Sequence, residues 1–259
     1  MSMHPTYRRI LTKMGYYDYQ SGLIFRNFHQ EGGWDEHNRS CREYILKTVD
    51  RINPAKITVL GSGWLLDFPL IEIIERNISI VLVDIIHPPE VVKQVSCFDK
   101  VNLVEADVSG GLIKNVWEAI RNKPFLKKLK SIEDIDIPVF EFKTDPGLVV
   151  SLNILTQLEV LPLKLLEKNA TINNEEREKF RLRVQQNHID LLNKHKSVLI
   201  SDKEEIHTDA KGVVKVDRTV LGQIPPGEFH DEWTWNFDLK GSDYYTSTSV
   251  MKVIAETFE

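Results

Sequence analysis

From residue 40 onward the apolar residues of the chain alternate between two patterns. Short unbroken runs, "KITVL" (56–60), "ISIVLVDI" (78–85), "VNLVEADV" (101–108), "GLVVSLNIL" (147–155) and "SVLIS" (197–201), are rich in Val, Ile and Leu. They are too short for helices, and their composition predicts strands. Between them, apolar residues recur every three or four positions, as in "SCREYILKTVD" (40–50), "LLDFPLIEIIERN" (65–77), "GGLIKNVWEAIRN" (110–122) and the stretch from Glu175 to about Lys194. This spacing puts them on one face of a helix. Pro54 disfavours helix at Asn53 and ends the first of these; Pro69 must sit within the first turn of the second or break it.

Continuous apolar strands alternating with helices predict a parallel sheet covered on both faces, a Rossmann-like, doubly wound α/β fold. The rhythm changes near the C-terminus. "EWTWNFDL" (232–239) alternates large apolar with polar residues and "SVMKVIAETF" (249–258) reads as a closing strand, so an antiparallel hairpin is expected at the sheet's end. Residues 1–39 do not fit the repeating unit and are expected to form an N-terminal helical cap on one compact domain of residues 40–259.

In an open parallel sheet, ligands collect beyond the carboxyl ends of the strands, where strand order reverses. Gly61, Asp84, Asp107 and Asn153 all fall at such ends. In "VLGSGWLLDF" (59–68) two glycines follow the first strand, and without a Cβ the backbone there can take positive φ and approach a ligand closely. A helix beginning after Gly63 would add free N–H groups suited to a carboxylate or phosphate. Asp84, about twenty residues on and closing the neighbouring strand, can accept hydrogen bonds from a ribose diol. The pairing points to a nucleoside.

The third glycine of the dinucleotide fingerprint G-x-G-x-x-G is Leu66 here, which disfavours a nicotinamide or flavin dinucleotide, and no G-x-x-x-x-G-K-[ST] loop is present. A cofactor with an adenosine and no phosphate fits better.

Composition narrows the partners. With 259 residues, 42% hydrophobic and 27% charged, the chain has ample core for a soluble globular protein, expected in the cytoplasm because neither a membrane-length apolar run nor a secretory leader is visible. A net charge of −5 argues against a surface built to hold nucleic-acid phosphates. "KPFLKKLK" (123–130) is the densest basic stretch and reads as a solvated amphipathic segment. Cys41 and Cys97, far apart and without CxxC or CxxH company, suggest neither a disulfide nor a metal site.

From about residue 40 to 202 the chain resembles the class I S-adenosylmethionine-dependent methyltransferases. "ITVLGSGWLLD" resembles that family's first motif, "IVLVDI" its second, "LVEADV" its third and "PGLVVSLNILTQL" its fourth, in the family's order. The resemblance implies S-adenosylmethionine as cofactor. Gly61 and Gly63 would approach its methionine part, Asp84 would pair with the ribose hydroxyls, Asp107 and Val108 would meet the adenine, and Asn153 would stand beside the methyl group, with Ser62, Trp64 and Ile85 as further cofactor-binding residues. Asp67 would bind the cofactor's ammonium or cap its own helix.

The departures are specific. The family's glycine turn is commonly G-x-G-x-G and its last position is Leu65 here, while Gly147 stands where an aspartate often precedes the fourth strand. Leu65 would narrow the pocket or contact the ligand. Asn153 and Gln157 stand where amino-group methyltransferases carry D/N-P-P-[YF], but the prolines and aromatic are absent, so no amine substrate follows.

Methyl transfer from a sulfonium is an in-line displacement, accelerated largely by positioning, and a general base is needed only if the acceptor must lose a proton. Two polar, glycine-containing stretches, "FHQEGGWDEHNRS" (28–40) and "GEFHDEWTW" (227–235), suit lids over a pocket. His37 and His230 are their candidate bases, set against the plainer reading of surface histidines, with Trp34, Trp233 and Trp235 packing the cap. Three functions fit to decreasing extent: a methyltransferase acting on a small molecule, a methyltransferase-like binding protein without turnover, and an NAD-binding Rossmann protein.

Overall fold

The computed structural model describes residues 4–30, 32–122, 127–241 and 247–259. Eight strands form one sheet: β1 (Lys56–Leu60), β2 (Ser79–Asp84), β3 (Val101–Glu105), β4 (Leu148–Leu152), β5 (Ser197–Asp209), β6 (Val214–Arg218), β7 (Phe229–Asp238) and β8 (Ser247–Phe258). Their order is β3-β2-β1-β4-β5-β8-β7, with β6 pairing β5 off this path. The first five strands are mutually parallel, whereas β8 runs antiparallel between β5 and β7. Strand order therefore reverses at β1 and β4, where the glycine turn leaves β1.

The helices are α1 (Pro5–Met14), α2 (Tyr16–His29), α3 (Asp35–Ile52), α4 (Leu70–Glu75), α5 (Pro89–Val95), α6 (Leu112–Asn122), α7 (Val160–Asn169) and α8 (Asn174–Leu192). They cover both faces of the sheet. Side chains alternate along each strand, so Ile57 and Val59 join one core with Tyr44, Ile45 and Val49 of α3, while Leu60 joins a second core with Leu112 and Val116 of α6 and Phe180 and Val184 of α8. The central strands are buried on both sides, which is why they read as unbroken apolar runs. The expected Rossmann-like architecture with an antiparallel C-terminal hairpin is the one observed.

Three local expectations are corrected. Residues 62–69 form turns and bends, not helix, and α4 starts only at Leu70 with Pro69 as its N-cap. The proline ring has no N–H to donate to an earlier turn, so it ends the loop instead of extending the helix backward. Consequently no helix N-terminus stands at Gly63. The third strand stops at Glu105, leaving Asp107 two residues beyond it. The fifth strand runs on from Ser201 to Asp209, because β8 continues to pair with it past an irregularity between Asp202 and Glu204.

At the N-terminus α1 and α2 are joined at Gly15, whose φ of 86° is the left-handed turn that ends one helix and starts the next. α3 runs without a break through residues 39 and 40. Of the basic stretch 123–130, residues 123–126 lie outside the described residues; Lys127, Lys128 and Lys130 are exposed, and Leu129 pairs with Ala170. Among the described residues no helix is long and apolar enough to cross a membrane.

Candidate active site

The glycine turn after β1 is built for close approach. Gly61 has φ 80°, and a Cβ there would meet Ile154 Cβ at 2.7 Å and Leu152 O at 3.0 Å. Only glycine fits against the end of β4. Gly63 follows with φ 47°, and Leu65 takes φ 56°. Leu65 thus holds a left-handed conformation that suits glycine better, at a strain of about 1–2 kcal/mol. Its side chain is buried in the apolar core and does not line the cavity, so it neither narrows the pocket nor touches a ligand there. Gly147 has a comparable reason: with φ 67°, its Cβ would strike Lys56 O at 2.2 Å, so an aspartate cannot stand there without moving β1.

Asp84 closes the second strand and ties itself to the turn. Its Oδ2 accepts the Gly63 N–H at 2.7 Å and its Oδ1 accepts the Ile85 N–H at 2.7 Å. The Ile86 N–H also reaches Oδ1, at 3.5 Å, so the acceptor capacity left for a ligand hydroxyl lies chiefly on Oδ2. Burial raises the Asp84 carboxyl above the usual range, opposed by these backbone donors. Asp107 accepts the Ser109 N–H at 3.0 Å and the Ser109 hydroxyl on Oδ1, and the Tyr7 hydroxyl at 2.8 Å on Oδ2. Burial raises its pKa as well.

These groups border one cavity of about 150 Å³ over the strand tips. Gly61, Ser62, Gly63, Trp64, Asp67, Asp84, Ile85, Asp107, Val108 and Asn153, all singled out from sequence, line it together with His37. Its roof comes from α2, through Tyr16, Tyr19, Gln20 and Leu23, and from Trp34 and Asn38. The Trp64 indole N–H donates to Gln20 O at 3.0 Å and Gln20 Nε2 donates to Ile86 O at 3.3 Å, which pins α2 onto the strand ends. The electrostatic character is one-sided. Asp67, Asp84 and Asp107 line the cavity, and among the described residues no lysine or arginine does.

The two histidine candidates part company. His37 is buried on α3, stacked on the Trp235 ring at 3.9 Å between centroids. Its Nδ1 accepts the Trp233 indole N–H at 3.0 Å. Because an indole can only donate, the proton of neutral His37 sits on Nε2, and neither nitrogen has a free lone pair for a general base. Burial lowers its pKa to about 3. His230 does not reach the cavity at all. The stretch expected to be a flexible lid is strand β7, and His230 Nδ1 lies 2.6 Å from Glu256 Oε1 with Glu232 on its other side.

No protein-family model matches the chain, and no curated protein matches its sequence. Solved structures do resemble it in architecture. One is a Burkholderia thailandensis 1,6-didemethyltoxoflavin-N1-methyltransferase with 1,6-didemethyltoxoflavin and S-adenosylhomocysteine bound, at 8% identity and TM-score 0.41 over 100% of this chain and 92% of that one. Another is the plantazolicin methyltransferase BpumL in complex with S-adenosylhomocysteine, at 10% identity and TM-score 0.30 over 97% and 90%. A third, the methyltransferase domain of a bacterial Hen1, aligns at 11% identity and TM-score 0.32 over 82% and 95%. At such identities and scores, substrate and chemistry have to come from this chain's own side chains.

Sequence reasoning missed the roof. Tyr16, Tyr19 and Gln20 lie in a helix with no motif, and α2 has no fully buried residue to betray which face it presents. From sequence, Trp34 and Trp235 are expected only to pack the cap. They do pack, edge to face at 5.0 Å, and they also line the cavity.

Proposed function

We propose that the cavity binds S-adenosylmethionine and that the chain transfers its methyl group to a small molecule. The observation that carries the reading is the charge of the cavity: three acidic side chains, Asp84 and Asp107 at the strand ends and Asp67 in the turn after β1, and no cationic side chain among the described lining residues. A ligand with a sulfonium and an ammonium suits such a surface, whereas a pyrophosphate would face only acids. The absence of a helix start at the glycine turn removes the usual compensation for phosphate, which speaks against the nicotinamide dinucleotide alternative.

The residues present fit this cofactor. The Asp84 carboxylate has open acceptor positions for the ribose hydroxyls, Asp107 and Val108 stand at the adenine side, and the Cβ-free backbone of Gly61 gives the methionine part its close approach. Asp67, partly buried and lining the cavity, supplies a carboxylate for the ammonium. When bound, the cofactor supplies an already activated methyl group. The protein then has to position an acceptor and exclude water, which α2, Trp34 and Trp235 do by roofing the site. Since His37 offers no free lone pair, acceptors with a neutral nucleophilic heteroatom are favoured over those needing prior deprotonation by a histidine.

Isothermal titration of the full chain with S-adenosylmethionine and S-adenosylhomocysteine tests the reading. Micromolar or tighter binding is expected, weakened at least tenfold in Asp84→Ala, with no binding of NADH. Loss of the wild-type signal would remove the reading; binding without turnover on a broad acceptor panel would favour a binding protein.

A further inference from the structure

At the cavity wall, three side chains of metal-ligand type converge. His37 and Cys41 stand four residues apart on one face of α3, and Asp67 reaches them from the turn after β1. One ligand atom of each lies within 4.8 Å of the other two, and His37 Nε2 is already 3.5 Å from Cys41 Sγ. In a tetrahedral zinc site with Zn–N near 2.0 Å and Zn–S near 2.3 Å, neighbouring ligand atoms stand about 3.3–3.8 Å apart. A contraction of about 1 Å on the Asp67 side would therefore close the set.

Asn153 supplies an independent observation. Its Nδ2 sits among all three, 2.7 Å from Asp67 Oδ2, 3.0 Å from His37 Nε2 and 3.9 Å from Cys41 Sγ, while its buried Oδ1 has no partner. Trp233 places the ring proton of His37 on Nε2, so the Asn153 amide nitrogen and His37 Nε2 oppose each other as two donors. Turning the amide over satisfies His37 but sets an amide oxygen against the carboxylate oxygen of Asp67. Neither orientation satisfies both neighbours while Asp67 is ionised, and an unmet buried polar group is destabilising.

We propose that His37, Cys41 and Asp67 form a divalent transition-metal site, suited to zinc, with the amide oxygen of Asn153 turned inward over the fourth position. A thiolate and a carboxylate around a divalent cation make a neutral set, the condition under which charges are tolerated in a buried position. Mixed sulfur, nitrogen and oxygen ligands select zinc or cobalt over magnesium or calcium. His37, Asp67 and Asn153 also line the cavity, so the fourth position adjoins the space for the small molecule. Ligation through Nε2 moves the His37 proton to Nδ1, which breaks the hydrogen bond from Trp233; that indole, on the edge strand β7 and partly exposed, has room to shift.

The site shares Asp67 with the methyl-transfer reading, so a bound metal and the cofactor's ammonium would compete for that carboxylate; its test reads metal uptake directly and is separate from cofactor titration. The full-length chain, stripped by a chelator and kept free of thiol reductants, is titrated with Co²⁺. One equivalent is expected to bind, with a thiolate-to-cobalt charge-transfer band in the near ultraviolet, visible bands of four-coordinate strength, and displacement by Zn²⁺. Cys41→Ser, whose fold is checked by circular dichroism, should lose the charge-transfer band and bind at least tenfold more weakly. Asp67→Asn should weaken binding without removing the band, and the tryptophan emission change that accompanies binding should vanish in Trp233→Phe. No cobalt uptake at millimolar concentration, the result expected if a proton on Asp67 relieves the contact, would overturn the proposal, as would an unchanged spectrum in Cys41→Ser.

Discussion

The hydroxyl of Tyr7, near the start of the chain, donates to Oδ2 of Asp107 at 2.8 Å, joining helix α1 to the acid beyond the third strand. Beside it, Arg8 Nη2 donates to both carboxylate oxygens of Glu105, at 2.9 and 3.0 Å. The N-terminal helices are thus fastened to the strand tips by polar contacts at the candidate site itself. Tyr7→Phe keeps the ring and removes the donor, leaving Asp107 with the two contacts from Ser109. A loss of about 1–2 kcal/mol is expected from a hydrogen bond to a partly buried carboxylate, measured by urea unfolding, with faster proteolysis within α1. Unchanged stability and unchanged cleavage would show that the contact does not hold the helix.

Leu65 occupies a left-handed backbone position yet packs in the core. Leu65→Gly relieves about 1–2 kcal/mol of backbone strain but gives up about 2–3 kcal/mol of burial and adds the flexibility of glycine. A net loss of about 1–2 kcal/mol follows from these terms. Affinity for S-adenosylhomocysteine should stay within about twofold, because the side chain does not line the cavity. A change of more than fivefold in affinity at unchanged stability would contradict that placement.

Gly147 answers a steric constraint in place of a chemical one. Gly147→Ala drives a Cβ to 2.2 Å from Lys56 O and holds φ at 67°, so β4 must move away from β1. A loss of about 3 kcal/mol or more is expected, visible as a fall in melting temperature or as insoluble protein. A wild-type melting temperature would mean that the two strands are looser than described.

Glu159 is buried at the start of α7, where its Oε1 accepts from Gln185 Nε2 at 2.8 Å and pairs with Arg181 at 3.3 Å while Oε2 has no partner. Burial raises its pKa from 4.5 to about 7 in spite of Arg181. A carboxyl whose folded pKa is raised favours the fold fully below its unfolded value and loses that contribution as pH rises through the folded value. Stability should therefore fall between about pH 4.5 and pH 7 on account of this group. Glu159→Gln should flatten the dependence in that window, read from urea midpoints across the range; an equally steep profile in the variant would assign the effect elsewhere.

His230 lies on the sheet edge with Glu256 and Glu232 for company, outside the cavity. His230→Ala should leave cofactor affinity and any methyl transfer within about twofold of wild type. A hundredfold loss of turnover would reinstate it as a base.

The periodicity of apolar residues was enough to read the strands β1 to β4 and the helices α3, α6 and α8, because a strand buried on both faces and a helix buried on one leave distinct repeats in the chain. The glycine turn and the acids after β2 and β3 were legible for a related reason: positions that need positive φ or a carboxylate at a strand end tolerate few residue types. Helices α5 and α7 went unread. One is seven residues long and the other has Pro162 within it, so neither carries a clear repeat.

From the chain alone, then, come the layered sheet and the row of residues at its ends, since both follow from local spacing and backbone sterics. Folding in three dimensions settled the rest. It brought Tyr7 to Asp107, set Trp233 against His37, sent His230 away from the cavity and gathered His37, Cys41, Asp67 and Asn153 around one point. Such contacts join residues up to 196 positions apart, and their geometry depends on how whole elements dock, which no local pattern of side chains records.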